Sequence, residues 1–135
     1  MDEEKKRMED PQKAQLATLS SLIVAYLLHV HKYSPNCTFV WIVQFALCLR
    51  TWMSPVPKEW ILADRLWILV TAAVTYLAYS ERGLSNSTFI GLLVVCALFR
   101  LADARTKRGD QVTGYYLLWH GSVLLTNAAV MIHLS

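Results

Sequence analysis

Two ionisable residues stand inside apolar stretches of the chain, Asp64 in ILADRLWILVT and His120 in YYLLWHGSV. A carboxylate can serve as a general base, and an imidazole can transfer a proton near neutral pH or bind a metal. Ionisable side chains within membrane segments are rare, and they face the protein interior or a wet cavity. Asp64 and His120 are therefore the candidate catalytic residues, should the protein be an enzyme.

Further polar residues share helical faces with these two, because positions three, four or seven apart lie on one side of a helix. The last apolar segment carries such a face, formed by Thr113, Tyr116, His120 and Asn127. The third segment carries another, formed by Asp64, Thr71, Thr75 and Tyr79. Lipid tails offer no hydrogen bonds, so we expect His120 and Asn127 to face the third helix across a bundle interior. The predicted interior polar cluster is Arg50, Asp64, Thr71, Thr75, Tyr116, His120 and Asn127.

The elements that must position these residues are predicted from composition. Of the 135 residues, 55% are hydrophobic and 17% are charged, and the charges are clustered. A helix of about 20 residues crosses a hydrocarbon core of roughly 30 Å. Continuously apolar segments near that length occupy residues 14–31, 37–54, 60–80, 86–104 and 112–134. We predict an all-α integral membrane protein, a bundle of about five transmembrane helices over residues 14–135, after a cytoplasmic extension over residues 1–13.

The distribution of basic residues predicts the topology. If the five segments alternate, Lys32 and Arg82 lie on one side and the other eleven Lys and Arg residues lie on the opposite side. Since Lys and Arg favour the cytoplasmic side, the N-terminus is predicted to be cytoplasmic and the C-terminus lumenal or extracellular. The N-x-[ST] sequons at Asn36 and Asn86 then fall on the outer side as glycosylation candidates. Several segments are short, which favours the thin bilayer of the endoplasmic reticulum or another internal membrane.

The charge and the remaining residue types narrow the classes of partner and the kinds of helix contact that we expect. The topology explains the net charge of +3, so no nucleic-acid partner is expected. Three cysteines, Cys37, Cys48 and Cys96, give neither a disulfide framework nor a metal-ligand spacing. The first segment carries a ridge of small residues that allows close helix contact, at Ala17, Ser21 and Ala25. Trp52 and Trp60 are predicted to lie at the cytoplasmic interface of the membrane.

Asp64 needs a compensating group at this depth, because an ionised carboxylate in a membrane is costly unless it is paired, hydrated or metal-bound. Three sources of positive charge are candidates: Arg50 on the second segment, the neighbouring Arg65, and Arg100 together with Asp103 at the end of the fourth segment. Arg50 also has the alternative of extending to the lipid headgroups.

Asp64 early in one helix and the Trp-His pair at His120 in the last helix resemble the superfamily of intramembrane metal-dependent hydrolases. This superfamily includes alkaline ceramidases, adiponectin-receptor-like proteins and myomaker-like proteins. The resemblance implies a zinc ion held by three histidines, whose bound water cleaves a lipid amide or ester with help from an aspartate and a serine. His120 would then be a metal ligand and Asp64 the base.

The chain departs from the family pattern at three positions. The second segment has Ala46 and Arg50 where the family has serine and histidine, and Leu124 stands where the last helix has its second histidine. Five predicted spans also fall short of seven. Because catalytic zinc generally needs three protein ligands, the resemblance implies a member that has lost its metal, with Arg50 neutralising Asp64.

Three functions remain open. The first is a non-catalytic interaction or structural protein, or a lipid-binding protein, of an internal membrane, with the bilayer and other membrane proteins or a lipid as partners. The second is a lipid amide or ester hydrolase, or its inactive relative, with zinc as a cofactor only if the resemblance holds. The third is a small transporter or channel, lined by polar residues that include His120 and Asn127.

Overall fold

The chain was analysed in a computed structural model that describes residues 17–51, 58–106 and 113–135. These ranges contain five helices: α1 (Ala17–Val30), α2 (Pro35–Thr51), α3 (Lys58–Glu81), α4 (Asn86–Thr106) and α5 (Gly114–Leu134). The prediction of an all-helical chain is confirmed, and each helix falls on one of the five predicted segments. The predicted extension over residues 1–13 and the predicted interfacial Trp52 lie outside the described residues.

Three of the five helices, α3, α4 and α5, are long and apolar enough to cross a membrane. Helix α3 has 24 residues, which at 1.5 Å per residue gives about 36 Å. Helix α2, with 17 residues, reaches only about 25 Å. Large apolar side chains cover the outside of the bundle, among them Leu69, Leu77, Leu98, Leu125 and Ile132. An exposed apolar surface of this extent is typical of a protein whose surroundings are lipid.

Among α2 to α5, the closest packing is in two pairs, α2 with α3 and α4 with α5. Indole N–H groups link the first pair, since Trp41 Nε1 donates to Thr75 Oγ1 at 2.9 Å and Trp67 Nε1 donates to the Val40 carbonyl at 2.9 Å. In the second pair, Ser122 Oγ lies 3.6 Å from Cys96 Sγ. Polar side chains thus join helices inside an otherwise apolar bundle.

Helix α1 contributes one buried face to the core. Val24 and Leu28 are fully buried there, and Ser21 and Ala25 of the predicted small-residue ridge are buried beside them. Ala17, the first residue of that ridge, is half-buried. The core continues into the other helices through Cys37, Val40, Trp41, Tyr79, Val130 and Met131.

The α1–α2 and α3–α4 turns have the same backbone design. In each, the second residue after the helix adopts a positive φ, 62° at Lys32 and 100° at Gly83. The following amide donates back to the last turn, from Tyr33 to Leu28 at 2.9 Å and from Leu84 to Tyr79 at 3.0 Å. This is the helix C-terminal motif that glycine favours, and Lys32 adopts the conformation without that freedom.

Arg82 joins these two turns at one end of the bundle, which we call the clasp end. Its guanidinium donates to the carbonyls of His31, at 2.9 Å, and Lys32, at 2.7 Å. The same group lies 3.5 Å from the ring centre of Tyr33. The candidate glycosylation residues, Asn36 and Asn86, are exposed in the first turns of α2 and α4 beside these turns.

Candidate functional site

Asp64 belongs to a chain of side-chain hydrogen bonds between α2 and α3. Gln44 Nε2 donates to Asp64 Oδ1 at 2.8 Å, and Thr71 Oγ1 lies 3.4 Å from Gln44 Oε1. The close partner of the Asp64 carboxylate is therefore the Gln44 amide, whereas the sequence had indicated only arginines as partners. The sequence signal for it was a single glutamine within the apolar run WIVQFAL.

The arginines considered as partners of Asp64 take different positions. Arg65 and Arg100 both act electrostatically on the carboxylate. Arg50 is half-buried, and its guanidinium carbon lies 5.8 Å from the ring centre of Trp60. Trp60 is an exposed residue near the start of α3, and its position at a membrane interface stays a prediction.

His120 is buried, with 5% of its surface exposed, and its contacts differ on the two ring nitrogens. Nδ1 lies 3.3 Å from Ser20 Oγ of α1, so the side chain is bound to α1 where sequence reasoning placed it against α3. Nε2 is also buried and has no hydrogen-bond partner among the described residues. The rings of Tyr116 and Trp119 flank the imidazole at centroid distances of 4.6 and 4.4 Å.

Asn127 and Tyr79 form the link between α5 and α3. The Tyr79 hydroxyl donates to Asn127 Oδ1 at 2.5 Å, and Asn127 Nδ2 donates to the Val123 carbonyl at 2.7 Å. Both side chains are thus hydrogen-bonded within the protein. Their role in the structure is to hold the two helices together near the clasp end.

The opposite end of the bundle carries a second polar group, formed by Asp103, Thr113 and Arg100, of which the sequence had indicated Arg100 with Asp103 only as a candidate partner of Asp64. Asp103 is 1% exposed and accepts a hydrogen bond from Thr113 Oγ1 at 2.8 Å. Thr113 in turn caps α5 by accepting from the Tyr116 amide at 3.1 Å. Arg100 Nη1 lies 3.9 Å from Asp103 Oδ2, and its guanidinium carbon is 4.6 Å from the ring centre of Trp119.

A cavity of about 270 Å³ lies between the two helix pairs, with Ser21 of α1 also in its wall. Along α4 it runs from Phe89 to Arg100, which corresponds to about 16 Å of helix. Most of its wall is apolar, contributed by Ile68, Ala72, Leu92, Leu93, Ala97, Val123 and Val130. One end of the cavity, at Tyr79 and Phe89, lies toward the clasp end of the bundle and shares its name. The other end, at Arg100 and His120, is called the Arg100 end.

The cavity wall contains some members of the predicted polar cluster and leaves out others. Thr71, Thr75, His120 and Asn127 line it, together with Gln44. Asp64, Arg50 and Tyr116 do not, and Asp64 is connected to the wall only through Gln44 and Thr71. Tyr116 is buried and shares a side-chain hydrogen bond with Cys48. The two candidate catalytic residues thus take unequal positions, since only His120 can touch a molecule in the cavity.

The residues present do not fit the zinc site that the family resemblance implies. A catalytic zinc needs about three protein ligands and an open position. In the described ranges no group of three His, Cys, Asp or Glu side chains is close enough to hold a metal. Serine, not a second histidine, is the partner of His120, so we derive no step through a metal.

Comparison with known proteins finds no matching family model, no matching curated protein and no matching solved structure. The resemblance to intramembrane hydrolases therefore rests on Asp64, His120 and the hydrophobic pattern of the sequence. What the geometry offers chemically is an elongated apolar cavity with a few polar groups at defined points, which is the usual form of a small-molecule binding site.

Proposed function

We propose that the protein is a multi-pass membrane protein that binds a lipid-like molecule without catalysing a reaction on it. The observation that carries the proposal is the elongated cavity between the two helix pairs. Its wall is mostly apolar, and polar side chains occupy a minority of the lining positions. An alkyl chain matches such a wall, whereas an ion or a sugar would lose its hydration there.

The proposed membrane arrangement is a bundle of five spans. Helices α1 and α2 would cross with α3, α4 and α5, because their polar side chains bond inward to the bundle, as Ser20 does to His120 and Gln44 to Asp64. In this arrangement the clasp end lies outside the cytoplasm and the Arg100 end lies on the cytoplasmic side. The endoplasmic reticulum or another internal membrane is the proposed location, since α2 is short for a thick bilayer.

The binding role is favoured over the hydrolase that the family resemblance implies. A base must reach the reacting atoms, directly or through one water, and Asp64 stands behind Gln44 outside the cavity wall. In the proposed protein, Asp64 is a structural acceptor that orients Gln44, and His120 is a ligand contact. An inactive relative of those hydrolases would have this arrangement.

The proposal is tested by filling the cavity. Ala72 lines it, whereas the next residue, Ala73, is exposed on the outside of the same helix. Ala72→Phe places a ring in the cavity and Ala73→Phe places the same ring outside. We expect the wild-type protein and Ala73→Phe to retain a bound lipid-like molecule through purification, and Ala72→Phe to lose it.

The measurement is native mass spectrometry of each protein after extraction in mild detergent, with folding checked by circular dichroism. Loss of the bound mass from Ala72→Phe alone supports the binding function. Equal occupancy in the two variants, or a wild-type protein that binds no alkyl ligand after addition of defined lipids, contradicts it.

A further inference from the structure

The chemistry of the cavity wall differs between its two ends, and this difference bears on the kind of ligand. At the clasp end Tyr79 and Asn127 are hydrogen-bonded to each other, and Asn127 also bonds a backbone carbonyl. At the Arg100 end there is a cation and a buried nitrogen without a partner. Arg100 is the one Lys, Arg, Asp or Glu residue in the cavity wall within the described ranges.

The guanidinium of Arg100 is positioned to receive an anion. It lies against the Trp119 ring, which fixes its plane, and 37% of the side chain is exposed. Its nearest acid, Asp103, is 3.9 Å away, which is an ion-pair contact beyond hydrogen-bond length, and the other oxygen of Asp103 accepts from Thr113. The guanidinium therefore keeps donors in a planar fork that suits a carboxylate or a phosphate.

His120 supplies a second contact at the same end. Its Nδ1 lies beside Ser20 Oγ, which fixes the ring, and its buried Nε2 has no partner in the described part of the chain. A buried polar atom without a partner is destabilising. In the tautomer that carries its proton on Nε2, with Nδ1 accepting from Ser20 Oγ, the imidazole can donate to an oxygen of a ligand that reached the Arg100 end. Arg100 and His120 can thus contact one head group from two helices, α4 and α5.

The volume of the cavity limits the apolar part of the ligand. An apolar cavity of about 150 Å³ takes one benzene ring, and the present cavity of about 270 Å³ is less than twice that size. One alkyl chain fits this volume and the elongated shape of the cavity.

We infer that the cavity binds a single-chain amphiphile with an anionic head group, with the head at Arg100 and His120 and the chain running toward Tyr79 and Phe89. This inference rests on the proposed binding function and adds the class and the orientation of the ligand. Carboxylate and phosphate both present anionic oxygens that a guanidinium can bind, and competition between amphiphiles with these two head groups distinguishes them.

The experiment uses the full chain in nanodiscs of zwitterionic lipid with a bound fluorescent alkyl probe. Four competitors share one chain and differ in the head group: dodecanoate, dodecyl phosphate, dodecanol and dodecylamine. We expect one or both anions to displace the probe at concentrations about tenfold lower than dodecanol, as a charge-assisted hydrogen bond allows. The stronger of the two anions identifies the head group as carboxylate or phosphate.

Two variants of neighbouring arginines on α4 separate recognition from membrane partitioning. Arg100→Gln removes the cation from the cavity wall, and Arg105→Gln removes an exposed cation that does not line it. The preference for anions is expected to vanish in the first variant and to persist in the second. A preference that survives Arg100→Gln, or an alcohol or amine that competes as well as the anions, overturns the inference.

Photolabelling of the wild-type protein tests the orientation without any substitution. A photoreactive group next to the carboxylate should label the Trp119 and His120 region, and one at the end of the chain should label the Tyr79 and Phe89 region. The reverse pattern contradicts the inferred orientation. If alkyl probes bind without regard to head group, only the inference fails, whereas absence of binding by every probe removes the proposed function itself.

Discussion

Tyr33 shows at the scale of one residue how the clasp end is built. Its ring packs edge-on against Tyr79 at 5.7 Å, and its hydroxyl is buried with no described atom in hydrogen-bond geometry. Arg82 lies over the ring and acts on the hydroxyl electrostatically. Burial raises the pKa of Tyr33 above its ordinary value, and the charge of Arg82 opposes this change only in part.

The pKa of Tyr33 leads to a prediction about pH. Because the folded-state pKa is raised, the neutral hydroxyl is favoured by folding. Its contribution to stability is complete below a pH of about 10, the value for an unfolded tyrosine, and is lost above it. Tyr33→Phe should therefore reduce the alkaline loss of stability. It should leave stability near neutral pH unchanged or raised by about 1 kcal/mol, since it removes an unsatisfied polar atom.

Thermal unfolding of the purified protein over a pH series measures this effect. Tyr26→Phe, which alters an exposed tyrosine of α1, is the matched control and should follow the wild-type curve. A fall in stability at neutral pH in Tyr33→Phe would show that the hydroxyl makes a stabilising bond and would contradict this description of the clasp end.

Residue positions were only partly predictable from the sequence. Helical periodicity indicates which face of a helix is polar, and Thr71, Thr75 and His120 are buried as that rule requires. It does not give the rotation of one helix relative to another, so the pairing of His120 with Ser20 and of Asp64 with Gln44 was not foreseen. Neither serine nor glutamine carries a charge that would have drawn attention to it.

At the scale of elements, the α2–α3 pair depends on buried polar contacts centred on Gln44. This side chain is 6% exposed, and it bonds Asp64 and Thr71 from its two ends. Gln44→Leu leaves Asp64 without its donor, and we expect a loss of about 1–3 kcal/mol in the free energy of unfolding. Unfolding in mixed micelles with increasing denaturing detergent measures the change.

Two further variants show whether the stability lost in Gln44→Leu comes from the unpaired Asp64 carboxylate. Thr71→Val removes only the 3.4 Å contact and should cost less than Gln44→Leu. Adding Asp64→Leu to Gln44→Leu removes the unpaired carboxylate and should recover part of the loss. Equal costs for Thr71→Val and Gln44→Leu, with no recovery in the double variant, would show that the polar chain does not hold this helix pair.

The boundaries of the elements were more predictable than their pairing. Charged clusters and helix-breaking residues mark the ends of the segments, and Gly83 does end the turn after α3 with a positive φ. Lys32 adopts the same conformation, although no local sequence signal distinguishes it from the other lysines of the chain. The close pairs α2–α3 and α4–α5, and the cavity between them, depend on side-chain volumes that a hydrophobic pattern does not contain.

In the whole molecule, Arg82 holds two backbone turns together. Arg82 donates to backbone atoms of the α1–α2 turn from the start of the α3–α4 turn, which fixes both at one end of the bundle. Helices α1 to α4 therefore alternate in direction. With three helices clearly able to span, the proposed five-span arrangement adds α1 and α2 as shorter spans.

We propose that all five helices cross the bilayer around a cavity, and the location of the two termini tests this arrangement. Small epitope tags at Met1 and Ser135 are probed in intact cells, after selective permeabilisation of the plasma membrane, and after full permeabilisation. We predict that the N-terminal tag is reached from the cytosol and that the C-terminal tag is reached only from the other side of the membrane. Detection of both tags from one compartment would contradict five spans and the membrane cavity that depends on them.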